Sequence, residues 1–310
     1  PEVFAQENCF VLYGGNRFDY FEHDGNEGVI HPLIRRNTIH NIADLAIAKN
    51  SDGGVEIALL TEFNGTHSLL LYDISTNSSH PVPEAANSTV ISSSGPLVAW
   101  AAPSDLGPIA NITSIETGLT ISIALDPTSE YSVEKSLEDS GYSFDYNNSS
   151  VVDMAMSSKW LVATVDIGPF NRTFLVDTQT GNQTLLSNPR WDSSSPSIAS
   201  DVVAFLQVTR DDPTGSLLQS DRNNDVYYYN TTESTLIQLT LDEDVDQSQP
   251  QVLDGGIAWV ATNGDDSTEF VVHSFGEPIE THSRTLLQAS VLALLPLIFV
   301  YAYQSAIEKD

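Results

Sequence analysis

The strongest constraint on the fold is a repeated pattern of short apolar strands separated by polar turns. Six apolar runs recur along the chain, at Phe10–Tyr13, Ile57–Leu60, Val98–Trp100, Leu161–Thr164, Val203–Phe205 and Ile257–Val260. Each run is followed by a second strand, at Phe18–Glu22, Leu69–Ile74, Ile112–Glu116, Thr173–Asp177, Asp225–Asn230 and Phe270–Ser274. The turns that follow are rich in Gly, Asn, Ser and Thr, as in hairpins. No long segment before Leu286 has a helical period, so the chain is predicted to be almost entirely β.

A short lead-in precedes several of these units. It has the form Pro-x-Val or Pro-x-Ile at Pro1–Val3, Pro196–Ile198 and Pro250–Val252, and Thr89–Ile91 takes the same place without the proline. A four-stranded sheet repeated radially, at a period near the ~40–50 residues of known blades, is typical of a β-propeller. We therefore predict an all-β propeller with six blades.

The last full unit makes this resemblance specific. The stretch from Asn224 through Gln238-Leu239-Thr240 to Trp259 resembles a TolB-type propeller repeat, especially the versions found in archaeal cell-surface proteins. The resemblance covers the two final copies well, the copy around Ser51–Gly54 moderately and the others only in strand pattern. The copy at Leu97–Leu125 departs most, because it lacks the tyrosine-rich second strand. What the resemblance implies is a six-bladed propeller, and such repeats say little about activity.

An uncharged apolar run lies near the C-terminus. It covers the eighteen residues Leu286–Tyr303, between Arg284 and the charged end Glu308–Asp310. A membrane-spanning helix needs ~17–25 such residues, and Tyr301 and Tyr303 fall where interfacial aromatic residues lie. We predict a propeller ectodomain at 1–283 and a single transmembrane anchor with a short tail at 284–310. The alternative is a buried helix of a soluble domain or a helix that packs in a filament.

Asn-x-Ser/Thr sequons indicate the side of the membrane. There are nine, at Asn64, Asn77, Asn87, Asn111, Asn147, Asn148, Asn171, Asn182 and Asn230. Chance would give roughly four, so the excess favours a glycosylated, extracytoplasmic ectodomain on the cell membrane. The alternative is that Asn, Ser and Thr simply cluster in turns. Residues Pro1–Phe4 lack the features of a signal peptide, and we expect the numbering to begin after processing or within a longer precursor.

Net charge limits the classes of partner. With 12 Lys and Arg against 42 Asp and Glu, the formal charge is −30, which repels nucleic acid and attracts cations. We therefore predict that the protein does not bind nucleic acid. Hydrophobic residues make up 41% of the chain, enough for a sizeable core, so the acidity is assigned to a solvated surface.

One loop carries a candidate calcium site. Asp221, Asn223 and Asp225 have the spacing of the first half of an EF-hand loop, and Asp211 and Asp212 could add oxygen ligands. The Gly and Glu that complete an EF-hand are absent, and an ordinary Asx-rich turn explains the same residues. Ca²⁺ is the only cofactor considered.

No other pattern in the sequence predicts chemistry. Cys9 lies in an apolar run and is expected to be a buried strand residue. The seven histidines are scattered without zinc-type spacing, and G-x-S-x-G and phosphate-loop motifs are absent. Trp100 and Trp259 take equivalent strand positions and are predicted to pack in the core. Trp191 is the one tryptophan considered for ligand contact.

These observations predict a membrane-anchored, glycosylated cell-surface propeller that acts as a structural module or binds an envelope protein or glycan, with no catalytic residues assigned. Two alternatives stay open. The first is an accessory ectodomain of a larger membrane complex, for which Ala289, Ser290 and Ala293 provide a small-residue helix face. The second is a propeller hydrolase whose site the sequence does not reveal.

Overall fold

The computed structural model describes most of the chain up to residue 275. The described residues are 2–6, 9–14, 17–23, 28–33, 41–63, 65–126, 148–208, 218, 223–242, 244–265 and 267–275. Side chains are described from Ile42 onward within most of these ranges. The predicted anchor at 284–310 and most of the two polar insertions, at 127–147 and 209–222, lie outside the described residues. No helix in the described part of the chain is long and apolar enough to cross a membrane.

In the described part of the chain, twenty-three strands form six antiparallel sheets, each built from one contiguous stretch of chain. The first sheet contains β1 (Glu2–Gln6), β2 (Cys9–Gly14), β3 (Arg17–His23) and β4 (Gly28–Leu33). The second contains β5 (Asn41–Lys49), β6 (Val55–Phe63), β7 (Thr66–Asp73) and β8 (Ser78–Pro81), followed by a short 3₁₀ turn at Pro83–Ala85. The third contains β9 (Val90–Ser94), β10 (Leu97–Ala101), β11 (Ile109–Ser114) and β12 (Thr120–Ala124).

The remaining three sheets follow in the same way. The fourth contains β13 (Ser150–Met156), β14 (Trp160–Asp166), β15 (Asn171–Asp177) and β16 (Gln183–Leu185). The fifth contains β17 (Ser193–Ala199), β18 (Val202–Val208), β19 (Asn224–Asn230) and β20 (Thr235–Gln238). The sixth contains β21 (Val245–Leu253), β22 (Gly256–Asn263) and β23 (Thr268–Ser274). The all-β prediction is confirmed.

Neighbouring sheets meet through their first strands, which we call the inner strands. β1 contacts β5, and contacts continue from β5 to β9, β13, β17 and β21. The inner strands of the second and third sheets run in the same direction, because Lys49 donates its backbone N–H to Gly95 at 2.8 Å and the Ser93 hydroxyl donates to Ile47 at 2.6 Å. Successive sheets are therefore stacked side by side in chain order.

The core lies between the sheets. Leu60 and Leu69 of the second sheet pack with Ile91 and Trp100 of the third, and separate apolar clusters join the third sheet to the fourth, the fourth to the fifth and the fifth to the sixth. Burying one such side chain contributes ~1.5–3 kcal/mol. The alternating strand residues thus serve two neighbouring interfaces, one on each face of a sheet.

Each apolar run that the sequence analysis took as the first strand of a unit is the second strand of its sheet. The lead-ins Thr89–Ile91, Pro196–Ile198 and Pro250–Val252 lie on or at the start of the inner strands. The departing copy at Leu97–Leu125 still belongs to a complete four-stranded sheet, β9–β12. Trp100 and Trp259 are buried, which confirms their predicted role in the core.

The sixth sheet differs from the others. It has three described strands, whereas each of the other five has four. Phe270, which pairs with Val260 on β22, is 69% exposed, while Leu69 and Val226 at the equivalent positions of the second and fifth sheets are 1% and 0% exposed. The outer part of this sheet therefore presents apolar surface that its equivalents bury.

Candidate functional site

Two aspartates on inner strands form the most chemically distinctive feature of the described residues. Asp44 follows a β-bulge in β5, where the register with β6 shifts between Ile42 and Asp44. Its carboxylate accepts hydrogen bonds from the backbone N–H of Leu45 at 2.8 Å and from that of Ile91, on the next inner strand, at 3.3 Å. Burial raises the pKa of Asp44, against the lowering effect of these two hydrogen bonds.

Asp153 repeats this arrangement in the fourth sheet. It follows a bulge in β13, between Val151 and Asp153, and its carboxylate accepts from the backbone N–H of Met154 at 2.8 Å and from that of Ser195 on β17. Burial raises the pKa of Asp153 to about 6, and the negative charge of Asp44 adds to the rise. The two carboxylates thus face a common region bordered by the inner strands.

β17, the next inner strand after β13, is irregular at the residue whose backbone N–H contacts Asp153. β17 has a bulge between Ser194 and Ser197, and Ser195 has a φ of 52° immediately before Pro196. Such a left-handed conformation is uncommon for a residue other than Gly. Gln249 on β21 has a φ of 51° before Pro250. The Ser194 and Ser195 hydroxyls lie 3.4 Å apart.

Chemically, this arrangement can hold a proton or a cationic group. Two carboxylates that each accept backbone N–H bonds keep free lone pairs. Nucleophilic catalysis requires a base within hydrogen-bond reach of the nucleophile, and the histidines in the described ranges lie on third and fourth strands, namely His23, His31, His67, His80 and His273. Among the described residues, no group of three or more His, Cys, Asp or Glu side chains is placed to hold a metal ion.

The residues of the predicted calcium site are only partly described. Asp211, Asp212 and Asp221 lie outside the described residues. Asn223 lies directly before β19, and Asp225 is buried in β19. The carboxylate of Asp225 accepts from the Thr240 hydroxyl at 2.8 Å and from the Gln238 amide at 3.2 Å. Asp225 therefore has a structural role in joining β19 to the segment after β20.

Trp191 lies in the connection between the fourth and fifth sheets. Its side chain is partly buried and packs against the apolar cluster that contains Leu175, Leu186 and Phe205. Its backbone N–H donates to Asn188 at 3.0 Å. Most of the ring thus contributes to the interface between two sheets, leaving part of it accessible to a ligand.

Three of the predicted glycosylation sites occur at equivalent places. Asn77, Asn182 and Asn230 lie in or beside the hairpins that join the third and fourth strands of the second, fourth and fifth sheets. Asn87 and Asn171 lie at the opposite edge of the sheets, Asn148 precedes β13, and Asn111 lies inside β11. Asn64 and Asn147 lie outside the described residues, as do the side chains of β2, including Cys9.

The sequence analysis did not identify Asp44 or Asp153. A signal was present, because Ile42-Ala43-Asp44-Leu45-Ala46 and Val151-Val152-Asp153-Met154-Ala155 each place one carboxylate in an otherwise apolar run followed by Ala. Such a repeat within apolar strands indicates equivalent buried carboxylates. Their proximity depends on the stacking of sheets, which the local pattern does not specify.

The arrangement of sheets is similar to that of solved peptidase propellers. The chain aligns with a prolyl endopeptidase at 10% identity and a TM-score of 0.56, covering 90% of this chain and 42% of the other. It aligns with the β-propeller domain of the trilobed protease from Pyrococcus furiosus at 11% identity and a TM-score of 0.53, covering 89% of this chain and 81% of that domain. This chain has a β-propeller fold. At such low identities, the likeness extends to the fold alone.

Two further solved structures align with this chain at similarly low sequence identity. An acylaminoacyl peptidase from Pyrococcus horikoshii aligns at 12% identity and a TM-score of 0.52, covering 89% of the propeller chain and 46% of the peptidase. TolB from Acinetobacter baumannii aligns at 14% identity, covering 84% of this chain and 60% of TolB, and its TM-score of 0.43 is lower than those of the peptidases. The chain thus spans less than half the length of the prolyl endopeptidase and of the acylaminoacyl peptidase. No protein-family model and no curated protein sequence matches it.

Proposed function

We propose that this protein is a membrane-anchored, glycosylated cell-surface propeller of six blades that acts as a structural module or binds an envelope protein or glycan. The observation that carries the proposal is the placement of Asn77, Asn182 and Asn230 in equivalent hairpins of three sheets. Glycans at these positions would project from one edge of the propeller, where they leave the apolar interfaces between sheets undisturbed. This placement supports an extracytoplasmic ectodomain resembling the TolB-like repeats of archaeal surface proteins.

The apolar run Leu286–Tyr303 supplies the anchor in this proposal. A test compares the full chain with a variant carrying Leu292→Asp and Leu295→Asp, because charge at the centre of a span opposes insertion by ~2.5–3.5 kcal/mol per residue. Leu241→Asp is a matched control, since Leu241 is 70% exposed on the propeller. After an alkaline wash, the unmodified chain and Leu241→Asp should stay with the membranes and the double variant should be released. Release of the unmodified chain, or retention of the double variant, contradicts the anchor.

A calcium ion at the 211–225 loop remains part of the proposal. Asp211, Asp212, Asp221, Asn223 and Asp225 would supply its oxygen ligands, and Ca²⁺ takes six to eight such ligands. The ion would tie the loop to the start of β19. Its expected effect is on stability, because binding to the folded state alone raises the free energy of unfolding.

A hydrolase is the second candidate, and the raised pKa of Asp153 favours it. A carboxylic acid whose pKa lies near neutrality is suited to general acid or base catalysis. The test is incubation of the full chain with peptide and oligosaccharide mixtures. Turnover that Asp153→Asn abolishes would support this candidate, and turnover that survives the substitution would contradict a role for Asp153.

A further inference from the structure

The hairpin between β22 and β23 carries a reactive pair of residues. β22 ends at Asn263, and Gly264 follows it in the turn. Asn-Gly is a favourable turn sequence, because both residues tolerate backbone conformations that most others avoid. The same pair is prone to a covalent rearrangement, because glycine has no Cβ to hinder attack by its own backbone nitrogen. Within the described ranges, Asn263 is the only asparagine that precedes a glycine.

The backbone N–H of Gly264 is available for this reaction. No described group accepts a hydrogen bond from it, and Gly264 and Asp265 are exposed. Water and hydroxide can therefore reach this amide. Asn111 differs, because β11 is paired with a strand on each side.

The side chain of Asn263 is held by a short chain of hydrogen bonds. Its amide Nδ2 donates to the Ser267 hydroxyl at 2.9 Å, and that hydroxyl donates to the Asp265 carboxylate at 2.6 Å. The bond from Ser267 lowers the pKa of Asp265, so the carboxylate is charged near neutral pH and orients the hydroxyl proton toward itself. The hydroxyl oxygen is therefore left as the acceptor for Nδ2 of Asn263.

We propose that Asn263 is a site of slow deamidation and that Ser267 restrains the reaction. The Gly264 nitrogen loses its proton to hydroxide and forms a bond to Cγ of Asn263. The Cγ–Nδ2 bond then breaks, and the leaving nitrogen takes a proton from water and departs as ammonia. The product is a five-membered succinimide, which a second water opens at Cγ to give aspartate or at the main-chain carbonyl carbon to give isoaspartate. In sum, asparagine and water give an acid and ammonia, and nothing is oxidised or reduced.

Ser267 slows ring closure by fixing the amide. The Asn263 side chain must turn until Cγ approaches the Gly264 nitrogen, and this rotation breaks the bond from Nδ2 to Ser267. One net hydrogen bond of ordinary strength corresponds to a rate factor of roughly two to ten. The folded hairpin should therefore deamidate more slowly than the same sequence in the unfolded chain.

The product changes the charge of the hairpin. A carboxylate at position 263 cannot donate to Ser267, and it adds a negative charge near Asp265 to a chain whose formal charge is −30. Like charges in one site repel each other. Isoaspartate also lengthens the backbone by one carbon at the point where Asn263 pairs with Val245 of β21. The conversion should therefore loosen this hairpin irreversibly.

The experiment follows conversion at Asn263 by peptide mass spectrometry of the full chain held at pH 8, with aspartate and isoaspartate separated by retention time. Gly264→Ala should lose most of the conversion, because its methyl group hinders the attack. The substitution fits the fold, since Gly264 does not adopt a left-handed φ and an added Cβ meets only the carbonyl oxygen of Asp244 at 3.9 Å. Asn50, which precedes Ser51 in the β5–β6 connection, is the reference within each sample.

Ser267→Ala tests the restraint. It should convert roughly two- to tenfold faster than the wild-type chain, approaching the rate of the chain unfolded in urea. Ser274→Ala, at the other end of β23, is the matched control and should leave the rate unchanged. Asn64, which also precedes a glycine, is read on a separate peptide.

Two sets of outcomes would overturn the proposal. Conversion at Asn263 that is no greater than at Asn50, or that Gly264→Ala leaves unchanged, overturns the site. A rate that Ser267→Ala does not raise, or equal rates in the folded and the urea-unfolded chain, overturns the restraint. Asn263 is not in a sequon, so the result does not depend on the proposed glycans or on the anchor.

Discussion

Asp153 makes in the fourth sheet the same pair of contacts that Asp44 makes in the second. Each carboxylate accepts the backbone N–H of the following residue and a backbone N–H from the inner strand of the next sheet, Ile91 for Asp44 and Ser195 for Asp153. Each aspartate thereby ties one sheet to its neighbour at the inner edge. Hydrogen bonds to a charged group contribute ~1.5–3 kcal/mol each, so the pair helps to fix the stacking of the propeller.

The raised pKa of Asp153 predicts a specific dependence of stability on pH. Because its folded pKa of about 6 exceeds the ordinary value of 3.8, the folded state binds this proton more tightly than the unfolded state. The resulting stability is fully present below pH 3.8 and is lost as the pH rises through 6. At ~1.4 kcal/mol per pH unit, the loss amounts to at most roughly 3 kcal/mol.

The measurement is chemical denaturation at pH 7.5 and pH 5 of the unmodified chain and of Asp153→Asn, which keeps an acceptor oxygen. At pH 7.5, Asp153→Asn should have a larger free energy of unfolding than the unmodified chain. At pH 5 this difference should be smaller. Asp105→Asn, at an exposed loop position, is the control for the loss of one charge. An advantage that is independent of pH would show that Asp153 does not titrate in this window.

Asp225 is predicted to stabilise the fold with or without calcium. Its buried carboxylate accepts hydrogen bonds from Thr240 and Gln238, and Asp225→Ala would remove both bonds at a cost of ~1–3 kcal/mol. Asp221→Ala is therefore the sharper test of the ion. Millimolar Ca²⁺ should raise the melting temperature of the unmodified chain above that in NaCl of matched ionic strength, and Asp221→Ala should abolish the difference. Equal effects of the two salts on both proteins exclude the specific site.

Arg172 is predicted to be a structural residue of the fourth sheet. Its side chain is fully buried, and its guanidinium donates to the backbone carbonyl of Pro189 at 3.1 Å. Arg172→Ala removes this bond and the packing of the long side chain, so it should lower the free energy of unfolding by ~2–4 kcal/mol. Arg190→Ala is the control. Arg190 follows Pro189 in the chain and is exposed, so its substitution should change the free energy of unfolding by less than ~0.5 kcal/mol. Similar effects of the two substitutions would refute the structural role.

The fold could be predicted further than the site. Strand alternation and turn chemistry act over a few residues, so the second and third strands of each sheet were found from runs such as Ile57–Leu60 and Leu69–Ile74. The inner strands β5 and β13 were missed because they lack the Pro-x-Val or Pro-x-Ile lead-in that marks β17 and β21. Their assignment required the pairing partners that the structure supplies.

The site required information that no local pattern contains. Asp44 and Asp153 are 109 positions apart in the sequence, and their interaction depends on the stacking of three consecutive sheets. Asp225 was considered as a calcium ligand from its spacing, while its contact with Thr240 depends on how the chain returns after β20. Residues that act through neighbouring sheets are visible only once the sheets are in place.

Glycan occupancy tests the central claim most directly. Glycopeptide mass spectrometry of the full chain, isolated from membranes of the cell that produces it, reports each sequon separately. Asn77, Asn182 and Asn230 should be modified, because they lie at hairpins. Asn111 should be modified much less, since it lies within β11, between β10 and β12, where the backbone pairs on both sides. The absence of glycan from all three hairpin sites would contradict a glycosylated surface propeller.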